Sequence, residues 1–139
     1  EVVYSFEKTI LDIHEYIQGN RKASFEIKPT TKKQVVEISM RIDDDGSHSI
    51  EREKVFIYDF ALLIDSKTSL RHPGLLVHDN IFEVDQDTLI NSLKFIIEKT
   101  SLSSKQQYIL TLNSDRLDGK KSETWYQVLD SSARARFTK

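Results

Sequence analysis

Gly74-Leu75-Leu76-Val77-His78-Asp79-Asn80 is an apolar run opened by Pro73-Gly74 and closed by an acid and an amide, and its reading decides the fold. A continuous apolar stretch of this length reads as a strand covered on both faces, in the interior of a parallel sheet. Downstream, Leu89, Ile90, Leu93, Ile96 and Ile97 recur at three- and four-residue spacing, with Asp87, Asn91, Lys94 and Glu98 between them. That pattern predicts an amphipathic helix over 86–99 with one stripe facing the sheet. Gln107-Tyr108-Ile109-Leu110-Thr111-Leu112 is a second apolar strand, ending on Asn113-Ser114-Asp115. A strand, a crossover helix and a parallel strand leave both strand ends on one edge, so Asp79 and Asn113 are expected to lie close together. Ligands of open α/β sheets bind at that edge.

Working outward, residues 51–66 carry Phe56, Phe60, Leu63 and Ile64 at helical spacing. Near the amino end Phe6, Ile10, Ile13, His14 and Ile17 predict a helix over 4–18, stopped by Gly19-Asn20. Residues 24–28 and 34–42 alternate apolar and polar side chains around Pro29-Thr30-Thr31, as in a half-buried antiparallel hairpin. Asp43-Asp44-Asp45-Gly46 closes it; consecutive acids on an extended chain point to different sides, so a solvated turn is expected rather than a metal site. Residues 124–129 read as one more strand, with Trp125 a core or edge aromatic.

Composition narrows the class. The 139 residues suit one domain, and 38% hydrophobic content suffices for a core of that size. With no cysteine, disulfides and thiolate metal sites are excluded, leaving His, Asp and Glu as metal ligands. No apolar run is long enough to span a bilayer and no signal-peptide pattern opens the chain, so a cytoplasmic location is expected. The net charge of −2, with Lys and Arg dispersed, gives no bulk electrostatic case for nucleic acid. Arg21, Lys22, Lys32 and Lys33, and the basic tail of Arg134, Arg136 and Lys139, read as solvated charge.

The ordered set of motifs resembles the carboxyl-terminal lobe of an ATP-binding-cassette ATPase head. Leu75 to Asp79 is similar to a Walker B strand, Val84-Asp85 to a D-loop, Leu112-Asn113 to the switch position, and Gly46-Ser47-His48-Ser49 stands where the signature loop precedes a helix. Within that superfamily the likeness is to the SMC-like and RecN-like ATPases, and in particular to the uncharacterised bacterial YydD-type domain of unknown function, across residues 40–117. Phe60-Ala61-Leu62-Leu63, 74–79 with His78 before the acid, and 108–113 carry it.

The resemblance implies an α/β fold: a parallel sheet flanked by helices, plus an antiparallel hairpin and an N-terminal helix (1–20) that is either the end of a coiled-coil arm or an ordinary amphipathic helix packed on the sheet, leading into the ATPase-like lobe (21–139). It implies ATP and Mg²⁺ as cofactors, with Asp79 the metal ligand and Asn80 and Asn113 at catalytic positions. Ser47 and Ser49 would be phosphate-contacting hydroxyls at the positive end of the following helix, and Asp85 the acid that communicates between heads; an N-cap of the 86–99 helix is the plain alternative for Asp85. The family's general base is a glutamate where this chain has Asn80, and an amide accepts no proton. Hydrolysis is then slow, or His78, Glu83 or Asp85 handles the water; alternation turns His78 away from Asp79, toward a buried structural role.

No G-x-x-x-x-G-K-[ST] loop occurs, so ATP binding would require a separate amino-terminal P-loop lobe, expected in a longer polypeptide to which Glu1 is not the start. A homodimer of heads and DNA as a partner, in repair or defence, follow from the resemblance alone. The alternatives are a catalytically degenerate interaction or dimerisation module and, more distantly, a metal-dependent nuclease built on Asp59 and Asp65-Ser66-Lys67, whose six-residue separation on a helix sets the two acids apart in angle.

Overall fold

The computed structural model describes residues 1–31, 33–43, 46–99 and 105–137. Asp44, Asp45, Lys32 and Lys139 therefore lie outside the described residues. The chain runs α1 (Val2–Gln18), β1 (Ala23–Pro29), β2 (Val36–Ile42), α2 (His48–Ile64), β3 (Leu75–His78), α3 (Gln86–Lys99), β4 (Gln107–Leu110), a 3₁₀ turn (Ser114–Leu117) and α4 (Thr124–Ser131). It is a mixed α/β fold with an antiparallel β1–β2 hairpin and a parallel β3–β4 pair.

The helix α1 forms where the spacing places it, and it ends at Gly19, whose left-handed backbone (φ +69°) lets its N–H reach back to the Glu15 carbonyl. Phe6, Ile10, Ile13, His14 and Ile17 are all buried. They pack α1 on α2, α3 and β1, so this helix is part of the domain's core. Each buried aliphatic side chain contributes roughly 1.5–3 kcal/mol.

In the hairpin, Ala23 pairs with Ile42, Phe25 with Met40, Ile27 with Ile38 and Pro29 with Val36. Directly opposed residues share a face, so these eight make an apolar side, while Ser24, Glu26, Lys28, Glu37, Ser39 and Arg41 make a polar one. The apolar side is anchored at its base, where Phe25 meets Phe6 edge-on at 5.4 Å.

Three expectations need correction. β3 is not covered on both faces: Leu75 and Val77 are 50% and 56% exposed. The register Leu76↔Tyr108 and His78↔Leu110 puts these four residues on the inner side, against α2, while Leu75, Val77 and Ile109 form an open outer side. An apolar run records apolar residues, not what covers them. The helix expected from 51 begins at His48 instead, because the Ser47 hydroxyl accepts the Ile50 N–H and takes the cap. Residues 124–129, expected as a strand, form α4; Trp125 and Leu129, one turn apart, both face the core, and Trp125 packs beside Lys94 of α3. Trp125 is a core aromatic, as expected.

Candidate functional site

The carboxyl ends of β3 and β4 meet at one edge. Parallel pairing carries on past the strands, with the Thr111 N–H donating to the His78 carbonyl at 3.1 Å. The Thr111 hydroxyl then ties the two ends together: it accepts the Asn80 N–H at 3.0 Å and donates to Oδ1 of Asp79. Asp79 is exposed, and among the described residues its Oδ2 has no hydrogen-bond partner.

Asn80 adopts a left-handed backbone (φ +53°), a region asparagine tolerates better than most residues. Its side-chain amide donates to Glu83. Arg52 of α2 donates to the Asn80 carbonyl at 2.9 Å and pairs with Glu83 at 2.6 Å. Glu83 therefore carries a cationic partner of its own.

Beyond β4, the Asn113 Oδ1 accepts the Asp115 N–H at 3.1 Å and caps the 3₁₀ turn. Arg116 follows, donating from its two terminal nitrogens to the carbonyls of Phe82 and Val84. The Arg116 carbonyl in turn accepts from Gln86 at 2.6 Å. Between these segments lies a cavity of about 280 Å³ lined by Asn80, Glu83, Asn113 and Arg116, with Phe82, Leu89 and Leu112 as its apolar wall. A broader depression, near 470 Å³, opens at the other end of the strands around Gly74 and Gln106, and among the described residues that line it none is a carboxylate or an imidazole.

The residues singled out in the sequence separate into two groups. Asn80 and Asn113 line one cleft, with Asp79 next to Asn80 on the same edge. Asp85 turns to its own helix, accepting the Thr88 N–H at 2.9 Å as an N-cap. Burial works to raise its pKa, but bonds from Thr88 and nearby backbone amides prevail and hold it below the usual carboxylate value. Ser47 and Ser49 are joined to each other at 3.0 Å, and among the described residues neither bonds to the cleft.

His78 is buried, as alternation implied. Its Nδ1 lies 3.0 Å from the Tyr108 hydroxyl and its Nε2 3.1 Å from Asp59. These two contacts tie β3 to β4 and α2. Burial, reinforced by the Asp59 charge, pushes the Tyr108 pKa up and keeps its hydroxyl a donor. Asp65 instead accepts from Ser5 at 2.6 Å, Thr9 at 3.0 Å and the Lys67 and Thr68 N–H groups. The two acids of the nuclease reading thus serve different partners. Among the described residues no group of three or more His, Asp or Glu side chains is placed to hold a metal.

Thr111, Arg52 and Arg116 were missed by sequence reasoning. Thr111 lies inside the apolar run 107–112, two residues before Asn113, while Arg52 and Arg116 lie three residues past Ser49 and Asn113, and none belongs to a spacing that marks a site. Arg116 does stand three residues after Asn113 in a polar segment.

Fold and site define a mixed α/β domain with a polar cleft at the carboxyl edge of a parallel strand pair. A family model matches residues 7–138, and the chain belongs to that family, described as an uncharacterised protein conserved in bacteria, DUF2326. Among curated proteins, none matches the chain. No helix among the described residues is long and apolar enough to cross a membrane.

Proposed function

We propose that this domain is the carboxyl-terminal half of an SMC-like ATP-binding-cassette head, contributing Walker B-like, D-loop-like and switch-like elements to ATP-dependent head engagement. The observation that carries the reading is the meeting of Asn80 and Asn113 in one cleft, with Asp79 beside them at the carboxyl edge of parallel strands. That edge is where α/β sheets take ligands. The open outer side of β3–β4, bearing Leu75, Val77 and Ile109, suits a sheet completed by another element, the role a P-loop lobe would fill.

Asp79 fits Mg²⁺. One carboxylate oxygen is oriented by Thr111 and the other has no partner among the described residues, on an exposed side chain, matching a cation that keeps several waters and takes one or two carboxylates. When bound, Mg²⁺ would supply charge neutralisation of the phosphates. Asn113 would donate its amide toward the terminal phosphate. Asn80, whose amide is held by Glu83, orients but accepts no proton, so turnover would be slow and the head would act chiefly as an ATP-dependent clamp. DNA as the substrate of the whole machine, in repair or defence, is part of this proposal through family resemblance.

Calorimetry tests it, titrating ATP and Mg²⁺ into this domain alone and into its mixture with the P-loop lobe of the same polypeptide, in wild type and Asp79→Ala. Binding in the mixture only, lost on Asp79→Ala, is the expected result. A mixture that binds no nucleotide would instead favour a non-enzymatic docking or dimerisation module. That second reading draws on one observation: the Asn80–Glu83–Arg52 cluster is internally satisfied and offers no free base.

A further inference from the structure

Arg116 stands apart from the other cleft residues. It is a cation lining a cavity, yet among the described residues no carboxylate pairs with it; its side-chain partners are the uncharged carbonyls of Phe82 and Val84. Glu83, the carboxylate that lines this cavity among the described residues, is matched by Arg52 at 2.6 Å. A guanidinium presents five N–H donors in a planar fork. Two are used on the carbonyls, which hold the plane in place, and three remain. Asn113 adds to them: its Oδ1 accepts the Asp115 N–H, which orients the amide, and its Nδ2 carries two further donors. Two sets of donors, one of them charged, therefore border the same 280 Å³ space.

We infer that Arg116 and the Asn113 amide nitrogen form an oxyanion site of the phosphoryl class in this cleft, with the Phe82 and Val84 carbonyls orienting the guanidinium for it. The physical reason is complementarity. Hydrogen bonds from a guanidinium to an ionised oxygen are about twice as strong as those between neutral groups, and the planar fork matches the spacing of phosphate oxygens. The apolar wall of Phe82, Leu89 and Leu112 lowers the local dielectric and strengthens the attraction. The same guanidinium joins the segment after β4 to residues 82–84 just ahead of Asp85, so an anion held there is sensed by both segments. The inference deepens the nucleotide reading and rests on it for the identity of the anion as a nucleotide's phosphate chain.

Titration of this domain at low salt with sodium tripolyphosphate, and separately with ATP and Mg²⁺, tests the inference by calorimetry and amide chemical shifts. The variants are Arg116→Gln, Arg116→Lys and Asp79→Ala. Expected is tripolyphosphate binding that moves the Asn113 side-chain amide and the amides of 82–86, weakened about tenfold to a hundredfold by Arg116→Gln. Arg116→Lys keeps the charge without the fork and should weaken it less.

Absence of tripolyphosphate binding to the wild type, or equal binding by wild type and a folded Arg116→Gln, overturns the inference. If Arg116→Gln disturbs the fold, Arg116→Lys decides alone: binding equal to wild type, with the Asn113 amide unmoved, overturns it. Nucleotide binding in the reconstituted head that needs Asp79 but not Arg116 leaves the head reading standing and this inference overturned. Arg116-dependent tripolyphosphate binding, with no Asp79-dependent nucleotide binding in the reconstituted head, supports the oxyanion site and removes the nucleotide.

Discussion

The Nδ1 atom of His14 lies 3.8 Å from Oε1 of Glu53 where α1 crosses α2, and both side chains are shut off from solvent. Neither ring nitrogen nor that carboxylate oxygen has a hydrogen-bond partner among the described residues. The other oxygen of Glu53 accepts from Gln18, whose amide also donates to Thr88 of α3. Three helices are thus joined through a polar network that is only half satisfied.

The two members of this pair should respond differently to removal. Glu53→Ala takes the acceptor from Gln18 and leaves a void, at a cost of about 2–4 kcal/mol. His14→Leu removes two nitrogens that make no hydrogen bond among the described residues and should cost less than Glu53→Ala, about 1 kcal/mol or below. Urea unfolding of both variants at pH 7 checks the asymmetry; a large loss on His14→Leu would mean that the imidazole is bonded.

Asp65 carries a pH dependence. Burial raises its pKa, yet bonds from Ser5, Thr68, Lys67 and Thr9 outweigh that and hold it below its ordinary 3.8. A depressed folded pKa contributes stability that is fully present above the unfolded value and is lost as pH falls through the folded one. Asp65→Asn should therefore cost about 1–3 kcal/mol at neutral pH and progressively less as pH falls below the ordinary carboxylate value and through the depressed one. Unfolding free energies of the two proteins, followed from pH 7 down to 2, should converge.

At Asn80 the left-handed backbone limits which residues the position accepts. Asn80→Gly should be nearly neutral, since glycine adopts φ +53° without strain and the lost Glu83 contact is exposed. Asn80→Glu should cost about 1 kcal/mol or more, from a side chain poorly suited to that backbone and from repulsion by Glu83. Thermal unfolding of the two variants separates them, and equal melting temperatures would contradict the argument.

Gly74 opens β3 with φ +83°, and a Cβ there would fall on the Lys105 carbonyl oxygen, which belongs to backbone and cannot swing aside. Its own carbonyl accepts the Gln107 N–H at 2.7 Å, the first link of the β3–β4 pair. Gly74→Ala should destabilise the domain by about 2–4 kcal/mol and loosen this pair first. Hydrogen exchange at Gln107 and Ile109 should then quicken more than exchange in α1.

Much of this architecture is local enough to read from the chain. The α1 stripe with its Gly19 stop, the hairpin, the 86–99 helix and the two strands around it each rest on a periodicity or a turn residue that acts within a few positions. The edge shared by Asp79, Asn80 and Asn113 was legible too, because a crossover between parallel strands leaves their ends together. Residues 124–129 were misread because a short segment with apolar residues at 125, 126, 128 and 129 fits either period, and packing of Trp125 on α3 decides for the helix.

By itself the sequence determined the helices α1 to α3 and the strands β1 to β4, and which side of the helices and of the hairpin is apolar, since those depend on backbone sterics and side-chain spacing. Tertiary structure alone decided that the outer side of β3–β4 is open, that His78 is bonded between Asp59 and Tyr108, and that Arg116 reaches back to residues 82–84 to border the cleft. These contacts join residues 19 to 34 positions apart, and no periodicity along a chain encodes which of its distant polar groups will meet once the core has closed.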